Sequence, residues 1–149
     1  MIIRLATPND FPNIARLRWD FKIEDGEVAA ITREQFEQQC CSKLQKESAA
    51  WAHFLAVEHD DPIGMVSICK VPKILSPNLK SDLIGYLTNT YVVPSMRNRN
   101  IGDQLLKFAI DWVKQQHIEL LFVWPSDRSR SFYSRLGFKA ENDIMELLF

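Results

Sequence analysis

At 149 residues, with 46% hydrophobic and 25% charged residues, five glycines and seven prolines, the chain has the size and balance of one globular domain, residues 1–149. Low-complexity and collagen-like classes are excluded, and a formal net charge of −1 supplies no global field for nucleic acid. No run of about 18 apolar residues occurs and Met1 to Leu5 carries no signal-peptide pattern, so a soluble, cytoplasmic protein with neither membrane nor nucleic-acid partners is expected.

Ile2 to Leu5 reads as a first strand. Thr7, Pro8 and Asp10 then suit a helix start, as cap, first-turn proline and acid at the positive end of the dipole. Phe11, Ile14, Ala15, Leu17 and Phe21 recur at helical spacing to about residue 23, where Asp25-Gly26 closes the segment. Thr32-Arg33-Glu34-Gln35 has the form of a capping box, and Phe36, Cys40 and Leu44 step along one face of a second helix that ends near Glu47.

Trp51 to Glu58 and Ile63 to Val71 are β-rich and flank His59-Asp60-Asp61-Pro62, so an antiparallel hairpin is predicted, with Gly64 marking a bulge. Pro72 to Asp82 is a loop before a strand from about Ile84 to Val93. After Asn100 comes the strongest helix, with Ile101, Leu105, Phe108, Ala109, Trp112 and Val113 on one face. Ile118 to Trp124 is a continuous apolar strand, which makes the last three segments a parallel βαβ unit. A loop over 125–128, a short helix from Ser129 to Leu136 stopped by Gly137, and a final hairpin around Glu141-Asn142-Asp143 complete an α+β domain on a mixed sheet.

Cys40, Cys41 and Cys69 form an odd set without metal spacing and are expected to be reduced. His53, His59 and His117 follow no metal-ligand pattern, so no metal is assigned.

Between the fourth predicted strand and the strong helix lies a basic, asparagine-rich knot, Arg97-Asn98-Arg99-Asn100. A helix N-terminus presents unpaired N–H groups and a positive dipole end, and therefore favours an anion. Arg97 and Arg99 add charge, Gly102 allows close backbone approach, and Asn100 tolerates a left-handed conformation, so the knot reads as a pyrophosphate cradle. Read alone, it is equally a solvated turn with an ordinary cap. A Rossmann phosphate loop fits less well, because the GxGxxG glycines are missing.

At these residues the sequence resembles the GCN5-related N-acetyltransferases (GNAT). Arg97-Asn98-Arg99-Asn100-Ile101-Gly102 stands where that family has Gln/Arg-x-x-Gly-x-Gly/Ala. "IRLATPNDFPNIARLR" is similar to its opening strand and helix, and "SFYSRLGF", residues 131–138, to its late tyrosine-bearing helix. In two places the chain departs from the pattern: Asn100 replaces the first glycine, and Ser126 replaces the asparagine often found seven residues before the tyrosine.

The resemblance implies a three-layer, GNAT-like acyl-CoA N-acyltransferase fold: a mixed, mostly antiparallel sheet with a splayed central parallel pair flanked by helices. It implies acetyl-CoA as acyl-donor cosubstrate. The backbone at Tyr91, Val92 and Val93 would pair with the pantetheine arm, Arg97, Asn98, Arg99, Asn100, Ile101, Gly102 and Asp103 would hold the pyrophosphate, and Ser126 would make a weaker cofactor contact. Tyr133 is implied as the catalytic acid. An unperturbed tyrosine pKa of about 10 lies only about 1.5 units above that of the departing thiol.

An attacking amine must be neutral, and Asp20, Glu24 and Glu58 are the candidate bases, but a carboxylate in such a position is more often simply solvated, and none is assigned as base. Trp19, Asn89 and Tyr91 are placed at the acceptor pocket, and Arg128 and Arg130 near the adenine end with less weight. The expected function is N-acetyl transfer from acetyl-CoA to a primary amine of a small molecule or peptide within a ternary complex. The alternative is a non-catalytic acyl-CoA-binding module or sensor. Oligomeric state is not legible, a homodimer being one compatible arrangement.

Overall fold

The computed structural model describes residues 1–141 and 145–149. Five strands form one sheet in the order of the chain: β1 (Ile2–Leu5), β2 (Trp51–Glu58), β3 (Asp61–Pro72), β4 (Leu83–Val92) and β5 (Ile118–Val123). All neighbours are antiparallel except β4 and β5, which are parallel and joined through α3 (Ile101–Gln115). This is the mixed, mostly antiparallel sheet the sequence predicts, with α1 (Phe11–Glu24), α2 (Arg33–Lys46) and α4 (Arg130–Arg135) completing the layers.

Both faces of the sheet are covered, which is why β2 and β3 read as nearly unbroken apolar runs. Phe54, Val66, Ile68 and Leu87 project to one face and pack under Ile101, Leu105, Leu106, Ala109 and Val113 of α3. Leu55, Met65 and Tyr91 project to the other and meet Phe11, Ile14 and Leu17 of α1. Phe108 sits at the rim of the α3 stripe, half-exposed, with its ring 6.0 Å from Phe54.

Local chemistry sets the element ends. α1 is preceded by a 3-10 turn at Pro8–Asp10, and the buried Asp10 carboxylate accepts the N–H of Thr7 at 2.7 Å and the Arg4 guanidinium at 2.7 and 2.8 Å. α2 carries the expected capping box: Thr32 Oγ1 accepts from the Gln35 N–H at 3.2 Å, and Gln35 Oε1 from the Thr32 N–H at 3.0 Å. The β2–β3 turn is tighter than the sequence suggests. Glu58 pairs with Asp61, leaving only His59 and Asp60 in the loop, both left-handed, so Asp61-Pro62 already belongs to β3. The register shift next to Gly64 is the bulge expected there.

The end of the chain departs from expectation. Residues 138–141 and 145–149 carry no strand, and the predicted turn at Asn142-Asp143 lies outside the described residues. Among the described residues no helix is long and apolar enough to cross a membrane, and no His, Cys, Asp and Glu cluster could hold a metal ion.

Candidate active site

Two irregularities in β4 open the centre of the sheet. Parallel pairing with β5 runs from Leu83–Ile118 to Leu87–Val123 and stops there, while β4 continues to Val92. The two strands therefore splay, and the free edge of β4 beyond Leu87 has backbone groups that need partners. On the other edge, Ser67 pairs with Thr88 but Met65 pairs with Tyr91, so β4 holds one extra residue. Asn89 absorbs it at φ 59°, a left-handed conformation that asparagine tolerates.

The bulge breaks strand alternation. Leu87 packs in the core under α3, whereas Thr88 and Asn89 both line a small cavity on the α1–α2 side. Thr90 returns to the α3 side, where its Oγ1 accepts a hydrogen bond from the Tyr133 hydroxyl at 3.1 Å. Tyr133 is buried against Phe132 and Phe138, and burial pushes its pKa above the ordinary tyrosine value. It therefore remains a protonated donor.

Beside the splay lies an open cavity of about 750 Å³ between β4, the knot, the start of α3 and α4. Of the predicted cofactor residues, Tyr91, Val92, Arg97, Asn98, Asn100, Ile101, Gly102 and Asp103 line it; Val93, Arg99 and Ser126 do not. Val93 instead bonds through its N–H to Ile63 O at 3.0 Å, and Ser126 Oγ donates to Ser129 Oγ at 3.0 Å. Tyr133 reaches the cavity only through Thr90 and Phe132.

The knot's two asparagines have a backbone role: Asn98 and Asn100 are both left-handed, at φ 61° each. Two reversals within three residues curl the chain, and among the described residues none of the N–H groups from Asn98 to Asp103 meets an acceptor. Open donors at the positive end of a 15-residue helix suit an anion. A Cβ built on Gly102 would meet only the Phe132 ring, at 3.5 Å, which is ordinary contact, so packing does not demand glycine here. Its open side faces the cavity, where an approaching phosphate would need the space.

The arginines are less free than the sequence suggests. Arg97 lies 2.7 Å from the Glu24 carboxylate, donates through Nε to Val92 O at 2.9 Å, and sits 5.6 Å from the Tyr91 ring centroid. Arg99 turns to Glu58 at 3.4 Å and Met96 Sδ at 3.0 Å. Arg128 lines the cavity while paired with Asp25 at 2.6 Å, and Arg130 pairs with Asp127 at 3.3 Å.

The carboxylates considered as bases are likewise engaged. Arg97 first, then the Tyr91 hydroxyl at 3.1 Å, hold Glu24 below its ordinary pKa, which weakens it as a base. Asp20 pairs with Arg33 at 3.1 Å. Burial and Glu24 together push Tyr91 up to about 12. Trp19 packs on Phe36, with centroids 5.5 Å apart, and lines a different surface depression from Asn89.

The sequence gives Thr90 only a backbone place at the end of the strand, since its tyrosine partner lies 43 residues away, and gives His53, which lines the smaller cavity, no role beyond the absence of a metal-ligand pattern. The one available signal for His53 was an imidazole inside the apolar run Trp51 to Val57.

Residues 11–138 match the sequence profile described as "Acetyltransferase (GNAT) family". The chain belongs to the GNAT family of acetyltransferases. Members of this family use acetyl-CoA as donor.

Solved structures agree on the fold. A predicted acetyltransferase of Clostridium acetobutylicum, with acetyl-CoA, superposes with a TM-score of 0.84 at 20% identity, covering 99% of this chain and 95% of that one. A GCN5-related N-acetyltransferase of Ralstonia eutropha gives 0.80 at 20% identity, covering 99% and 97%. Glucosamine-6-phosphate N-acetyltransferase of Arabidopsis thaliana gives 0.73 at 16% identity, covering 99% and 97%.

Proposed function

We propose that the protein transfers the acetyl group of acetyl-CoA to a primary amine, directly, within a ternary complex. The observation that carries this reading is the alignment of three features along one groove: open N–H donors at residues 98–103, the free β4 edge beyond Leu87, and Tyr133 hydrogen-bonded to Thr90. The donor's diphosphate rests on the knot, its amide-bearing arm pairs with the free edge of β4, and the thioester lies at the bulge.

A backbone N–H of the bulge stabilises the oxyanion as the amine attacks. The carbon–sulfur bond breaks, the electron pair leaves with sulfur, Tyr133 supplies the proton that makes the free thiol, and the tyrosinate left behind recovers a proton from solvent. The amine nitrogen gives up its proton to water, since the nearby carboxylate of Glu24 is a weakened base. Because Arg97 and Arg99 are both engaged by carboxylates, backbone donors carry most of the diphosphate contact, and Asn100 serves in place of glycine by adopting a left-handed conformation that glycine also takes readily.

Titration with acetyl-CoA by calorimetry, followed by a screen of primary amines for release of free CoA, tests this reading. Binding with turnover on at least one amine is expected. Binding without transfer to any amine would favour an acyl-CoA sensor, and no binding would remove both readings.

A further inference from the structure

The extra residue of β4 sits at Asn89, at φ 59°, although a bulge can migrate along its strand. The surplus could be absorbed one place earlier or later, and each step would flip the residue it passes to the other face and re-aim the backbone N–H groups beside it. Asparagine tolerates a left-handed backbone better than the flanking threonines do, but such a conformation still costs energy and persists where the surroundings fix it.

The Asn89 side chain supplies the fixing. Its Nδ2 donates to Ser67 Oγ at 3.2 Å and to Met65 Sδ at 3.2 Å, and these are the two β3 residues that flank the register shift. Its Oδ1 accepts from Arg18 Nη1 of α1 at 3.3 Å. A guanidinium only donates, so the amide has one orientation.

The anchors are themselves held. Met65 is fully buried, and Ser67 is 1% exposed with its Oγ 2.8 Å from His53 Nδ1 on β2. Arg18 lies 5.7 Å from the centroid of the Phe21 ring, and Phe21 stacks on Tyr91, the first residue of β4 to pair again beyond the bulge, with centroids 5.3 Å apart. One amide thus ties the surplus residue to β3 and to α1 at once, with β2 behind.

We propose that Asn89 is a positioning residue whose amide staples the bulge in place and so aims its backbone N–H at the thioester carbonyl, with Ser67 acting through it. This rests on the acetyltransferase reading for what lies at the bulge. The two properties of Asn89 are separable, because glycine adopts the left-handed backbone without the amide.

The test uses the full chain and acetyl-CoA carrying ¹³C at the thioester carbonyl, a probe that needs no acceptor amine. In the wild-type complex the carbonyl resonance is expected downfield of the free ligand, as a hydrogen-bonded carbonyl should be. Asn89→Gly should lose that displacement, while affinity measured by calorimetry stays within about fivefold, because the donors at residues 98–103 are untouched. Ser67→Ala leaves Asn89 its bond to Arg18 and should lose part of the displacement. If Asn89→Gly does not bind, Ser67→Ala decides by the same reading. No displacement in the wild-type complex, or one that both variants retain in full, would overturn the proposal. Failure of the wild-type chain to bind acetyl-CoA would instead count against the acetyltransferase reading.

Discussion

The Tyr133 hydroxyl donates to Thr90 Oγ1 across 3.1 Å, joining a short late helix to the one strand that bears the central bulge. In the proposed mechanism this is the proton passed to the departing thiolate, and its surroundings discourage ionisation. Tyr133→Phe keeps the ring packing on Phe132 and Phe138 and removes only the donor. The expected result is a fall in kcat of about 10²- to 10⁴-fold with acetyl-CoA affinity nearly unchanged, measured by steady-state kinetics and calorimetry. A loss confined to affinity would make Tyr133 a packing residue.

Gly102→Glu places charge and bulk in the opening of the knot without a backbone obstacle, since its Cβ meets only Phe132 at ordinary distance. The fold should survive, with an unaltered circular dichroism spectrum. Acetyl-CoA affinity should drop by more than about a hundredfold, because like-charge contact costs several kcal/mol. Retained affinity would mean that the diphosphate lies elsewhere.

Glu24 and Arg97 share an ion pair at the rim of the same cavity. Glu24→Gln removes a negative charge from beside an anion site and frees the guanidinium. Tighter acetyl-CoA binding is expected, by up to about fivefold at low salt and less at high salt, because a half-exposed pair is worth at most about 1 kcal/mol. Weaker binding would show that Glu24 is needed to aim Arg97.

Much of this architecture is legible in the sequence, because its signals are local. The capping box at Thr32 and Gln35, the α3 stripe and the alternation of turn chemistry with β-rich runs each depend on neighbours in the chain. Asn100 was readable for the same reason, since its left-handed backbone follows from its own side chain. What stayed hidden depends on distant partners. Glu24 lies 73 residues from the arginine it neutralises, and the bulge that turns Thr88 and Asn89 to one face arises from register with β3, which no single strand encodes. Trp19 lies apart from Asn89 for a similar reason, because α2 packs against it through Phe36.

Acid stability should report two buried groups in succession. His53 would titrate near 6.5 in the unfolded chain and near 4 in the folded one, because burial disfavours its charged form. Between those values the unfolded state binds more protons, so stability is lost as pH falls through that window, by roughly 3 kcal/mol in all. Asp10 follows. The Arg4 hydrogen bonds hold its carboxyl well below the usual range, so its contribution is complete above the unfolded pKa of about 4 and is lost only as pH falls below it. Urea unfolding from pH 7 to pH 3 should therefore show a decline that begins near pH 6.5 and continues below pH 4. His53→Phe should flatten the upper part and Asp10→Asn the lower. An upper slope that persists without the imidazole would mean that some other group carries it, and that His53 is not held neutral by the fold.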